Sequence, residues 1–232
     1  WITEFALGQV YGPRKKGKTF AVLDLVLHVA MGWAWCGHEV KRKRVKYVIG
    51  EGSTGRFFDR VRAWCREHKV EPKDLNGWFS VVPVRVGVDN EKDTQEFFAA
   101  DHSDVGVVVI DTVARNMDGD ENATKDMNLF VKGADRIREH YKCAVVLVHH
   151  SGKDEGKAGR GSTVLPGAVD CTINVSNSKT GLVVVRLEEC RDGPAGESLS
   201  FEMAKHIIDD EDLRDSIALR AKSVDVKLED EV

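Results

Sequence analysis

No stretch of this chain approaches 18 consecutive apolar residues, so no membrane-spanning helix is expected. No secretory signal peptide is visible, and a chain that opens on Trp1 rather than Met is expected to have lost its true N-terminus. Cysteine is scarce: Cys36, Cys65, Cys143, Cys171 and Cys190 are scattered without Cys-x-x-Cys spacing, three of them in apolar or strand-like runs. That usage suits small buried hydrophobes in a reducing cytoplasm and excludes a disulfide-stapled secreted domain or a zinc ribbon. There is no Ser/Pro-rich linker and no internal repeat, so a single domain is the simplest organisation. With 232 residues, 42% of them hydrophobic, the chain is long enough to bury a sizeable core and too apolar to be disordered.

A global positive field is lacking too. The formal net charge is −4, and all of it belongs to Lys205–Val232, leaving residues 1–204 neutral. A nucleic-acid partner therefore needs local basic loops. The acidic tail, residues 205–232, is expected to be a solvated helix or a poorly ordered end that follows the folded domain of residues 1–204.

What the sequence does have is alternation of two periods. Strand-like apolar runs at Ala6–Tyr11, Val45–Ile49, Phe79–Val84, Val105–Ile110 and Cys143–Val148 alternate with helical patterns at Lys18–Met31, Thr54–His68, Asp93–Ala100 and Thr124–Tyr141. Val107–Ile110 and Ala144–Val148 are continuous and rich in β-branched residues, as central parallel strands covered on both faces are. The pattern predicts an α/β fold with a mostly parallel sheet and helices on both faces. Beyond Gly161, runs at Asp170–Ser176, Leu182–Leu187 and Ser198–Met203 with short turns between them predict an antiparallel extension of that sheet.

The sharpest motif is Gly12-Pro13-Arg14-Lys15-Lys16-Gly17-Lys18-Thr19, followed by Phe20, which satisfies GxxxxGK[ST] between a strand and a helix. Glycines let successive N–H groups curl toward phosphate oxygens, and the helix N-terminus adds partial positive charge. Lys18 would neutralise the β- and γ-phosphates of ATP, and Thr19 would offer its hydroxyl to Mg²⁺. The interior of the loop is bulky and basic, adding charge near the phosphates or standing in solvent.

Val107–Asp111 is an apolar strand ending in a carboxylate, at the edge where ligands of open α/β sheets bind. Asp111 reads as the Walker B residue that holds Mg²⁺, or as a helix N-cap. Tyr47–Glu51 ends a neighbouring strand, so Glu51 is the candidate to orient or deprotonate an attacking water, or an exposed residue before a glycine turn. The chain lacks an NKxD guanine-reading motif and an Arg-rich lid, which argues against a GTPase and a small-molecule kinase.

These motifs, together with GDEN at 119–122 and HHSGK at 149–153, stand in the order of a known group. The chain resembles the RepA-like branch of the RecA/hexameric-helicase P-loop ATPases, common in phages and plasmids, over most of residues 10–203. The resemblance implies a RecA-like core that forms a homo-oligomeric ring, usually a hexamer, with ATP at each subunit boundary. It implies Lys18 and Thr19 as the Walker A pair, Asp111 as Walker B and Glu51 as the catalytic glutamate. His149 or His150 corresponds to the γ-phosphate sensor, although a histidine pair at a strand tip also suits hydrogen-bonded support. Arg191 matches an arginine finger acting on a neighbour's ATP, or is a turn residue in water. The companion basic position is here Glu189, so Arg160 or Lys179 is expected to share the work. Arg115, Lys153, Lys157 and Arg160 lie in two loops that would face single-stranded DNA, without an aromatic for base stacking. The implied activity is a cytoplasmic replicative helicase; the alternative is a recombination or annealing accessory ATPase that uses ATP as an assembly switch.

Overall fold

A computed structural model describes residues 1–100, 104–150, 163–209 and 214–222. In chain order the elements are β1 (Leu7–Gly12), α1 (Lys18–Met31), β2 (Arg44–Ile49), α2 (Thr54–His68), β3 (Phe79–Val82), α3 (Glu91–Ala99), β4 (Val105–Asp111) and α4 (Thr124–Tyr141). They continue with β5 (Ala144–His150), α5 (Val164–Ala168), β6 (Cys171–Asn177), β7 (Val183–Cys190), β8 (Ser198–Asp209) and β9 (Arg214–Lys222). All nine strands form one sheet in the order β3-β2-β4-β5-β1-β6-β7-β8-β9. From β3 to β6 neighbouring strands run parallel; from β6 to β9 they run antiparallel.

The central strands are apolar throughout because each face has its own core. Val109, Val146 and Val148 pack on the side of α1 and α2, with Leu27, Phe57 and Trp64. Val108, Ile110, Val145 and Leu147 pack on the other side with Met127, Phe130 and Ile137 of α4. The period of two thus sends successive side chains of one strand into different cores.

The expected α/β architecture is observed, and α1, α2 and α4 begin and end where the apolar spacing predicts. α3 begins at Glu91, ahead of the expected Asp93, because the Asn90 side chain accepts hydrogen bonds from the Lys92 and Asp93 N–H groups and caps the first turn. The antiparallel extension starts one strand later than expected, since β6 still pairs in parallel with β1.

The expected boundary between residues 204 and 205 falls inside β8, and a ninth strand follows it. The charge block hides a half-buried hairpin. Ile208, Ala218 and Leu219 join the core beside α1 and α2, while the charged residues pair across the hairpin and with α2. Arg220 binds Glu202 at 2.8 Å and Glu67 of α2 at 2.6 and 2.8 Å; His206 Nε2 lies 2.8 Å from Glu67. A tally of charge cannot separate such paired residues from solvated ones.

Candidate nucleotide-binding site

The C-terminal ends of β1, β2, β4 and β5 converge at one edge of the sheet, and there the phosphate loop joins β1 to α1. The loop needs its glycines for two reasons. Gly12 packs so closely on β6 that a Cβ would stand 2.1 Å from the Val175 carbonyl oxygen. Gly17, at φ 97°, is in the left-handed region and starts α1 at Lys18. Arg14 and Lys15 are exposed, whereas Pro13 and Lys16 are half-buried. Phe20, behind the loop, lies under the Arg60 guanidinium of α2 at 5.0 Å.

Lys18 is 4% exposed, and its Nζ donates to the main-chain oxygens of Gly12 and Pro13, each at 2.8 Å. Burial brings its pKa down to about 8, against the opposing pull of the Asp111 and Glu51 carboxylates. Thr19 Oγ1 donates to Asp111 Oδ2 at 2.9 Å, and the same oxygen accepts from Tyr47 at 2.7 Å. Burial raises the Asp111 pKa, while these two hydrogen bonds oppose the rise. Asp111 precedes a cis peptide bond to Thr112.

Glu51 stands at the tip of β2. Its Oε1 accepts from Thr112 Oγ1 at 3.4 Å and Arg115 Nε at 3.3 Å, and His150 Nε2 lies 4.0 Å away. Arg115 is therefore engaged with the candidate catalytic glutamate. Its loop is held by buried Asn116, which donates to the Thr112 carbonyl and accepts from Val86 N–H, each at 2.9 Å.

The two histidines ending β5 are separated by the pleat. His150 follows Val146 and Val148 to the side of α1 and α2, facing Glu51 and Lys18; burial and the Lys18 charge bring its pKa down to about 4. His149 faces the α4 side, 4% exposed, with Nδ1 3.4 Å from Gln9 Nε2 and Nε2 3.5 Å from Glu121. Burial lowers its pKa as well, which favours the neutral imidazole.

Arg191 is not brought to this cluster. It follows the last residue of β7, where Cys190 pairs with Cys171 at the start of β6, so it lies at the opposite edge, about 20 Å along the strands. There Nη1 donates to Asp170 Oδ1 at 2.9 Å. Glu189 pairs with Thr172 near the same end, whereas Lys179 sits in the β6–β7 turn at the phosphate-loop edge. Lys153, Lys157 and Arg160 lie outside the described residues.

Tyr47, Gln9 and Asn116 were not legible as site residues, and Glu121, although part of the GDEN stretch, had no assigned role. Tyr47 reads as one more apolar strand position, Gln9 and Glu121 act through contacts between distant segments, and Asn116 ties Val86 to the turn after β4.

The residues present suit a nucleotide and Mg²⁺. A glycine turn at a helix N-terminus, carrying a buried ammonium, matches a phosphate chain, and a hydroxyl beside a carboxylate supplies hard oxygen donors. This sheet with this loop defines a RecA-like P-loop ATPase domain. The chain belongs to the AAA domain family, which matches residues 1–156. Among solved structures it is similar to that of the RadB recombinase, with a TM-score of 0.61 and 19% identity over 88% of this chain and 89% of that one. No curated protein matches. Among the described residues no helix is long and apolar enough to cross a membrane.

Proposed function

We propose that this chain is an ATP-hydrolysing ring motor of the cytoplasm that translocates on single-stranded DNA, acting as a replicative helicase. The observation that carries the ATPase chemistry is the 2.9 Å contact between Thr19 and Asp111, with Lys18 and Glu51 in the same electrostatic cluster. Lys18 binds the β- and γ-phosphates, and Thr19 and Asp111 hold Mg²⁺. When bound, Mg²⁺ neutralises charge on the phosphate oxygens. Tyr47 holds the Asp111 carboxylate in orientation. Glu51 orients the attacking water and accepts its proton, steadied by Thr112 and Arg115.

His150 is the better candidate for the γ-phosphate sensor, since it shares the side of the sheet with Lys18 and Glu51. His149 supports it from the opposite face through Gln9 and Glu121. Arg191, released from Asp170, would reach a neighbour's ATP in trans; Lys179, at the opposite end of β7, is too far from it to share that role. Lys153, Lys157 and Arg160 would contact DNA phosphates, with Arg115 at the base of the other loop. A homo-oligomeric ring, expected as a hexamer, follows from the trans finger.

The resemblance in the GDEN and HHSGK stretches supports the helicase. A second reading, a recombination or annealing ATPase that coats DNA without unwinding it, is favoured by similarity along 88% of the chain to a structure titled a recombinase. ATP hydrolysis with and without single-stranded DNA, beside a forked-duplex unwinding assay, separates them. DNA-stimulated hydrolysis with unwinding, both lost in Lys18→Ala, supports the helicase. Hydrolysis without unwinding supports the second reading, and no hydrolysis by the wild type refutes both.

A further inference from the structure

Away from the phosphate loop, α1 carries a second polar cluster. Asp24 is 3% exposed, and its two carboxylate oxygens accept from Trp64 Nε1 at 2.9 Å and Trp35 Nε1 at 2.8 Å. Both donors are neutral, so these hydrogen bonds satisfy lone pairs without supplying the counter-charge that a buried carboxylate needs. Two imidazoles face the same oxygen. His28, one turn further along α1, has Nδ1 3.8 Å from Asp24 Oδ1, and His68, the last residue of α2, has Nε2 3.7 Å from it. The His68 Nε2 atom is screened from solvent and has no hydrogen-bond partner. Burial lowers the His28 pKa, which favours the neutral ring. His28 Nδ1 also donates to the Asp24 main-chain carbonyl at 2.8 Å, so an ion bound there takes the place of that proton and leaves the ring proton on Nε2.

One ligand atom from each of the three residues lies within 4.8 Å of the others. In a tetrahedral zinc site with bonds of about 2.0–2.1 Å, ligand atoms stand about 3.3 Å apart. The two imidazole–carboxylate separations, 3.7 and 3.8 Å, exceed this by about 0.4 and 0.5 Å, a gap that small side-chain rotations close. The donor set is two nitrogens and one oxygen, which selects a borderline divalent ion over Mg²⁺ or Ca²⁺. His68 keeps 24% of its side chain exposed and offers a way in. Tryptophan bodies wall the rest: His68 lies 4.3 Å from the Trp64 ring, which stacks on Trp33 at 6.1 Å.

We propose that Asp24, His28 and His68 bind a divalent transition-metal ion of the zinc class. The ion supplies the counter-charge missing at Asp24 and ties α1 to the end of α2. Those two helices begin beside the phosphate loop and beside Glu51, so the metal fixes the spacing on which the nucleotide site depends, while standing about 9 Å along α1 from Lys18.

The test is a Co²⁺ titration of the tag-free full chain, cleared of metal by a chelator and kept in excess Mg²⁺ so that oxygen-only sites are filled. Expected is the intense visible absorption of tetrahedral Co²⁺, saturating at a single equivalent, with quenching of tryptophan fluorescence and displacement by Zn²⁺. His68→Ala and His28→Ala each weaken binding by at least about tenfold, while Lys18→Ala and Thr19→Ala leave the titration unchanged. Should His28→Ala fail to fold, His68→Ala decides, because its side chain is partly exposed. The proposal is overturned if the wild type gives no such absorption, or if His68→Ala binds as tightly as the wild type. A weak six-coordinate spectrum that Thr19→Ala removes also overturns it.

Discussion

The Lys18 ammonium is buried against two main-chain carbonyls, with two carboxylates near enough to keep it charged at neutral pH. With its pKa down from 10.5 to about 8, the folded chain releases this proton before the unfolded chain does. Between those values the unfolded state binds more protons, so the Lys18 contribution to stability rises with pH there. Bound phosphates act in the opposite direction, because they hold the proton on. Nucleotide binding near pH 8 is therefore expected to take up a proton, and ATP affinity to fall as pH climbs from about 7 to about 9. Calorimetry in two buffers of different ionisation heat measures the uptake, which Lys18→Ala abolishes. At this scale the sequence was informative where chemistry sits in local spacing: Gly12 to Thr19, Asp111 and Glu51 each end or follow an apolar run. Tyr47, Gln9 and Glu121 were hidden because their partners are far away in sequence, and a polar atom in an apolar strand shows nothing until its partner is known.

Between elements, the contact that matters most to the site is the closeness of β1 and β6 at Gly12. A methyl group there meets the Val175 carbonyl at 2.1 Å, and backbone cannot rotate aside as a side chain can. Gly12→Ala is expected to cost about 1–3 kcal/mol through forced separation of the strands. Thermal unfolding would then begin about 2–12 °C lower, with ATPase activity lost even at temperatures where the variant stays folded. A circular-dichroism melt paired with a hydrolysis assay checks both. The start of α3 carries the complementary lesson: the apolar pattern was correct for the helix body, but its first turn is set by Asn90, a capping side chain outside the periodic run. The pleat of β5 is a further instance, since two adjacent histidines acquire different partners by facing opposite cores.

For the whole molecule, the decisive feature is that the sheet does not stop where the charge balance changes. β8 and β9 cover α1 and α2 with Phe201, Ile208, Ala218 and Leu219. Ending the chain after Ala204 removes three of these four residues together with the Arg220–Glu67 pair, and leaves part of the α1 and α2 surface bare. The truncated chain is expected to lose cooperative unfolding and to aggregate, whereas the full chain melts in a single transition; calorimetry and size-exclusion chromatography distinguish the outcomes. The sequence by itself determined the alternating α/β order, the positions of α1, α2 and α4, and the phosphate loop, because period and local motif are properties of neighbouring residues. Only the tertiary structure decided that β6 runs parallel to β1, that His150 rather than His149 faces Glu51, that Arg191 lies at the far edge of the sheet, and that the charged residues 205–209 and 214–222 belong to a strand pair. Each depends on which distant segments meet, and strand direction, pleat and cross-strand pairing leave no mark in linear spacing until the sheet is assembled.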